Sequence, residues 1–128
     1  MDSSRFAAFP DFADLPADEL DELGAAVKEV DVAAGAHVIT VDDYGTAIYF
    51  IEEGLAEVVD GGGEPNAVGP GDVIGEIGLL LTGERTATVV AQTPMRLLSL
   101  SGQDFERIRE RVPEVEQSLR RLGLERTA

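Results

Sequence analysis

The sequence predicts a mainly β domain: an antiparallel, jelly-roll-like β-roll of about eight strands, with an N-terminal helix and one or two C-terminal helices. Three observations predict it. Between Val27 and Leu100, short β-prone runs alternate with Gly, Pro, Asp and Asn punctuation, a hairpin-like spacing unlike that of βαβ units. On either side of this stretch apolar residues recur at helical intervals. The 128 residues, 44% of them apolar and 27% charged, suit one domain with a buried core.

The elements follow in order. Phe9-Pro10-Asp11-Phe12 leads into Leu15, Leu20, Leu23 and Val27, apolar positions with acids between them. They predict a short amphipathic helix from about Pro16, with Gly24 near its end, one face of which packs on a sheet. Strands are expected at Val27–Val32, His37–Val41, Ala47–Ile51, Leu55–Val59, Ala67–Val68, Val73–Ile74, Thr86–Ala91 and Arg96–Ser99. Turns fall at Ala34-Gly35, Asp42–Gly45, Glu53-Gly54, Asp60–Asn66, Gly69–Asp72 and Thr93-Pro94. Ser101-Gly102-Gln103-Asp104 then opens a helix as a capping box does, with a hydroxyl followed three residues later by an acid. Phe105, Ile108 and Val112 carry its apolar stripe. Pro113 starts a helix well and sits badly inside one, so a break is expected there, followed by a last helix bearing Val115, Leu119 and Leu122.

Composition removes several functional classes. Without cysteine there is no disulfide, thiolate nucleophile or Cys-ligated zinc, and the single histidine, His37, has no second histidine with which to share a metal. The expectation is a non-enzyme with no cofactor and no metal. The longest apolar runs, Ile48–Ile51 and Gly78–Leu81, fall far short of the roughly 20 residues that span a bilayer. The N-terminus lacks the basic-then-apolar order of a signal peptide, so a cytoplasmic location with no membrane partner is expected. The net charge is −15 and uneven: residues 1–64 hold 16 acids and 2 bases, residues 65–128 hold 9 acids and 8 arginines. Such a surface repels phosphate backbones, and no nucleic-acid binding is expected of this chain alone. The acidic pairs Asp42-Asp43 and Glu52-Glu53 read as solvated turn residues. Arg107, Arg109 and Arg111 read as solubility and helix-stabilising charges.

One stretch carries chemistry. After the strand ending at Ile74 come Gly75-Glu76-Ile77-Gly78-Leu79, a short apolar run, and Arg85-Thr86-Ala87-Thr88. A helical turn starting near Glu76 offers backbone N–H groups to an anion, and Gly75 and Gly78 let a ligand approach closely. An arginine entering the next strand can fork onto two phosphate oxygens, with the Thr86 hydroxyl beside it as a further donor. Ionised Glu76 accepts only, which suits a sugar hydroxyl. The segment therefore offers donors for a phosphate and an acceptor for a ribose.

These residues resemble the phosphate-binding cassette of the cyclic nucleotide-binding domain family, in the manner of the cAMP-receptor-protein-like sensor domains. Its pattern is Gly-Glu-(Leu/Ile)-(Ala/Gly)-Leu followed by Arg-(Ala/Thr/Ser)-Ala-Thr, here with Glu76 and Arg85 nine positions apart. The resemblance extends over nearly the whole chain. It implies a single domain of residues 1–128, divided into an N-terminal helical segment 1–26, a β-roll 27–100 with the cassette at 74–88, and C-terminal helices 101–128. It also implies that Arg85 holds the exocyclic oxygens of a cyclic phosphate and Glu76 the ribose 2′-hydroxyl. The N–H groups around Gly75, Ile77 and Gly78 would complete the cradle, with Thr86 on phosphate or base. A hydroxyl after the arginine goes in this family with acceptance of cGMP, although many cAMP binders carry one too. Where the family has Pro or Gln before the arginine, this chain has Glu84. Leu119 and Leu122 are the candidates to cap the purine.

The expected function is a stand-alone regulatory module that binds cAMP or cGMP, signals by C-terminal helix movement and acts on a protein effector in trans. The absence of a helix-turn-helix or effector domain before Ala128 fits a free-standing sensor or a fragment of a longer protein. The three-four-three spacing of Val112, Val115, Leu119 and Leu122 also fits a short homodimer seam, with capping and core packing as the other readings. The alternative function is a degenerate β-roll used for protein interaction or dimerisation without nucleotide. A cupin-type metalloenzyme is third, since its ligands are mostly histidines.

Overall fold

The structure, a computed structural model, describes residues 3–39, 47–59, 66–75 and 88–127. A 3-10 helix at Ser3–Ala8 precedes α1 (Ala17–Ala26). Among the described residues eight strands follow: β1 (Lys28–Val32), β2 (His37–Ile39), β3 (Ala47–Glu53), β4 (Ala56–Val59), β5 (Asn66–Val68), β6 (Val73–Ile74), β7 (Thr88–Ala91) and β8 (Met95–Ser101). The chain closes with α2 (Gly102–Ile108), a 3-10 turn at Arg109–Arg111 and α3 (Pro113–Thr127). The expected turns at Asp42–Gly45 and 60–65, and the helical turn from Glu76, lie outside the described residues.

All strand pairs are antiparallel and form two four-stranded sheets, ordered β1-β8-β3-β6 and β2-β7-β4-β5. The jelly-roll-like expectation is therefore met. Between the sheets lies one core, in which Ile51, Ile74 and Leu97 of the first meet Ala56, Val68 and Val89 of the second. Because strand side chains alternate, the other face of the first sheet turns Ile48, Phe50, Leu98 and Leu100 towards the helices and forms a second core. The first sheet is thus buried on both sides, which explains why β3 and β8 read as nearly continuous apolar runs.

Phe50 is the hub of the helical core. Its ring meets those of Phe6, Phe9 and Phe12 edge-on, at 5.2, 5.4 and 5.2 Å between centroids and interplanar angles of 81°, 85° and 76°. Edge-to-face aromatic pairs add about 0.5–1.5 kcal/mol each beyond burial. The segment before α1 is thereby clamped to the middle of the sheet. Its 3-10 turn escapes prediction because three-residue spacing over six residues leaves no α-helical period to detect. Arg5 secures the same segment at the rim, with its guanidinium on Glu52 (Nε–Oε2 2.7 Å) and Glu29 (Nη2–Oε1 2.7 Å). This corrects the expectation for Glu52, which is paired with Arg5, whereas Glu53 is solvent-exposed and 3.4 Å from Arg96.

The apolar face of α1 buries Leu23 and Ala26 in one cluster with Ile48, Phe50, Leu98 and Leu100 of the first sheet, and the helix also lies against the N-terminal 3-10 helix, α2 and α3. It ends at Ala26, past Gly24, where Val27 turns extended (φ −81°, ψ 157°) while its N–H still donates to the Leu23 carbonyl at 3.1 Å. At α2 the expected cap is present, Ser101 Oγ accepting from the Asp104 N–H at 3.0 Å. The break at Pro113 is also present, with Val112 at φ −130°. Val112, Val115 and Leu119 are fully buried in the helical core and Leu122 packs on it. The candidate dimer seam is therefore used inside the protomer. Among the described residues no helix is long and apolar enough to cross a membrane.

The hub predicts a sharp contrast. Phe50→Ala should lower unfolding free energy by about 3–5 kcal/mol, whereas Leu55→Ala, at a 48% exposed turn residue, should change it by about 0.5 kcal/mol or less. Urea denaturation followed by circular dichroism compares the two.

Candidate functional site

The turn between β5 and β6 delivers the chain to the candidate site. Asp72 folds it: its Oδ2 accepts the Gly69 N–H at 2.8 Å, and its own N–H donates to the Gly69 carbonyl at 3.0 Å. Two further bonds tie this turn to β3, from Gly71 N–H to the Ile51 carbonyl (3.0 Å) and from Ile51 N–H to the Asp72 carbonyl (2.9 Å). β6 then runs beside β3, with Phe50 opposite Val73 and Tyr49 opposite Ile74. Gly75 follows at φ +92°, a conformation that an L side chain rarely adopts, so glycine is required where the chain leaves the sheet. The chain re-enters at Thr88, a buried residue opposite Val59 in the other sheet. The connection from Ile74 to Thr88 thus starts at the edge of one sheet and ends inside the other.

Of the predicted ligand-binding residues, Gly75 is placed at that exit. Glu76, Ile77, Gly78, Arg85 and Thr86 lie outside the described residues, as does Glu84. Leu119 is fully buried in the helical core. Leu122, partly buried, lines a pocket of about 140 Å³ together with Phe9, Phe12, Gly71, Asp72 and Val73. Leu122 of α3 therefore packs on the aromatic segment, beside the turn that leads to Gly75. His37 is exposed on β2. Among the described residues no group of His, Asp and Glu could hold a metal ion.

The elbow between α2 and α3 is an ion-pair cluster. Arg109 forks onto Glu116 (Nε–Oε1 2.6 Å, Nη2–Oε2 3.1 Å), reaches Glu106 at 2.9 Å and stacks over the Phe105 ring at 5.6 Å. Arg120 adds a third bond to Glu116 at 2.9 Å. Arg109 therefore stabilises its helix, as expected, and in addition joins it to α3, which the sequence reading missed; Arg107 is paired with Asp104 on the exposed side. Hydrogen bonding from Arg109, with a smaller share from Arg120, holds the Glu116 carboxyl below the usual carboxylate range against the opposing effect of burial.

Sequence reasoning also missed Glu19. On α1, 5% exposed, it places Oε1 at 2.9 Å from the Glu114 N–H and 3.1 Å from the Val115 N–H. A signal existed. α3 begins Val112-Pro113, and neither side chain can accept a capping bond. Such a start requires an acceptor from elsewhere.

With this geometry in place, the comparisons with known proteins assign a family. A sequence profile described as the cyclic nucleotide-binding domain matches residues 29–112, from β1 to the end of the 3-10 turn. A cyclic nucleotide-gated potassium channel of Mesorhizobium japonicum is 36% identical over 122 residues, which cover 94% of this chain and 33% of the channel. The catabolite activator protein of Thermus thermophilus superposes with a TM-score of 0.78 at 29% identity, covering 92% of this chain and 58% of that one. The regulatory domain of Toxoplasma gondii PKA, crystallised with cAMP, superposes at 0.72 with 27% identity, covering 83% of this chain and 42% of the other. This chain belongs to the cyclic nucleotide-binding domain family, whose members serve as regulatory modules. It spans about a third of the length of the bacterial channels it matches.

The lowered Glu116 carboxyl gives a pH prediction. A carboxyl depressed in the folded state contributes stability above its ordinary value near 4.5 and loses it as pH falls through the folded value. Arg109 is 37% exposed, so the contribution is on the order of 1 kcal/mol or less after screening. Arg109→Gln should therefore be less stable than the wild type at neutral pH, and the gap should close as pH drops below the ordinary value. Denaturant titrations over that range check it.

Proposed function

We propose that this chain is a sensor module that binds a cyclic nucleotide, cAMP or cGMP, and transmits its occupancy through the C-terminal helices to an effector. The observation that carries this reading is the paired motif, Gly75-Glu76-Ile77-Gly78-Leu79 and Arg85-Thr86-Ala87-Thr88, located between β6 and β7 of a roll whose family is established. The cAMP bound to the Toxoplasma domain supports the nucleotide as ligand class. The proposed module acts by binding, without turnover, cofactor or metal.

In this reading Arg85 neutralises the cyclic phosphate through a bidentate pair, while the N–H groups of Gly75, Ile77 and Gly78 donate to the same anion. Glu76 accepts from the ribose 2′-hydroxyl, and the Thr86 hydroxyl donates to phosphate or base. A concentrated positive site matters in a chain of net charge −15, whose general field opposes an anionic ligand. Leu122 is the better candidate to cover the base. It is partly buried at a pocket, whereas Leu119 would have to leave a filled core. The effector is a protein in trans or, since the matching channels are about three times longer, another part of a larger chain.

Thermal melts with cAMP, cGMP and 5′-AMP test the proposal on the wild type and on Arg85→Ala. At 100 times its dissociation constant a ligand adds about 2.7 kcal/mol, several degrees for a domain of this size. The expected result is a rise with a cyclic nucleotide, none with 5′-AMP and none in a folded Arg85→Ala. No rise with any nucleotide would leave a roll that serves protein interaction alone.

A further inference from the structure

The two ends of the roll differ. At one end the short turns 33–36, 54–55, 69–72 and 92–94 each carry the chain from one sheet to the other. At the opposite end β3 begins, β4 finishes, β6 runs into Gly75 and β7 starts at Thr88. The core between the sheets has the same polarity. Ile51, Ala56, Ala91 and Leu97, towards the turns, are fully buried, whereas Tyr49 on β3 and Val58 on β4, towards the opposite end, are only partly buried.

Tyr49 stands where the candidate site begins. Across the β3–β6 ladder it faces Ile74, the residue before Gly75. Directly opposed side chains share one face of the sheet, with Cβ atoms about 5 Å apart. Ile74 belongs to the core between the sheets and Tyr49 packs against that core, so the phenol ring lies on the inner side of the roll and not on its helical side. Packing accounts for the ring but not for the hydroxyl, since a phenylalanine fills nearly the same space. A tyrosine hydroxyl drawn into a core ordinarily finds a hydrogen-bond partner. Among the described residues the Tyr49 hydroxyl has none.

The chemistry of a phenol suits an anion in this chain. The described arginines of the sheets and helices lie beside carboxylates, as expected where acids outnumber bases 25 to 10. A phenol, neutral until a pH of about 10, donates a hydrogen bond without being drawn into such pairs.

We propose that Tyr49 is a ligand-contacting residue: its ring walls the end of the roll where Gly75 leaves the sheet, and its hydroxyl donates to an oxygen of the bound phosphate group. The inference deepens the sensor reading and rests on it for the ligand. It adds a side chain from β3 to a site otherwise built from the connection that follows β6.

Calorimetry with cAMP and cGMP compares the full chain with Tyr49→Phe, which keeps the ring and removes only the hydroxyl. The dissociation constant of the nucleotide that the wild type binds should rise about tenfold, the worth of one hydrogen bond to a charged group. The melting temperature without ligand should stay the same. In Tyr44→Phe, where Tyr49 is the only tyrosine, the NMR signal of the isotope-labelled ring should move on saturation with the same nucleotide. Equal dissociation constants in the wild type and Tyr49→Phe overturn the proposal, as does a ring signal that saturation leaves in place. A lower ligand-free melting temperature in Tyr49→Phe overturns it as well, because the hydroxyl then serves the fold. If the wild type binds neither nucleotide, the sensor reading itself fails and this contact with it. Binding by the wild type with unchanged affinity in Tyr49→Phe removes the contact alone.

Discussion

The arrangement depends on one side chain having aromatic neighbours on three sides. Phe50 sits on β3, between β8 and β6 in the sheet, and its ring receives the edges of Phe6, Phe9 and Phe12. Through them it fixes the N-terminal segment, and that segment forms part of the surface on which α3 rests. On the same strand, Ile51 holds the turn from Gly69 to Asp72 by two backbone bonds. The position of Gly75, where the candidate site opens, and the position of α3 are both referred to β3. Close packing makes such a strand a rigid reference, since any shift of Phe50 would open cavities on the helical side.

Charge shapes the rest. Arg5, Arg96, Arg107, Arg109, Arg111 and Arg120 all lie beside carboxylates. In a chain with 25 acids and 10 bases these cations tie elements together: Arg5 joins the N-terminal 3-10 helix to β1 and β3, and Arg109 braces the elbow between α2 and α3. Among the described residues few cations are left over to attract an anion at long range. A phosphate ligand would have to be captured by local donors, consistent with a cradle of backbone N–H groups and one arginine.

The strands were legible because short β-prone runs and the turn residues between them mark them independently, and the start of α2 because Ser101 and Asp104 are three residues apart in the chain and in the bond they make. The break before α3 was legible from Pro113. What stayed hidden was long-range. Glu19 is 95 positions from Glu114, and Arg5 is 47 from Glu52, so no local pattern announces either pair. The same holds for α1: its apolar face was evident, but only the fold decides which helices it meets beside the sheet-lined core. At the candidate site the sequence motif remains the stronger witness, with the structure locating its entry at Gly75 and its exit at Thr88.

Equilibrium dialysis of the wild-type chain against radiolabelled cAMP and cGMP tests most directly whether this roll is, as proposed, a receptor for one cyclic nucleotide. A receptor binds at least one of them saturably at one molecule per chain, displaced by the unlabelled cyclic nucleotide and not by 5′-AMP. Absence of saturable binding by either, with a folded protein in the dialysis cell, would contradict it.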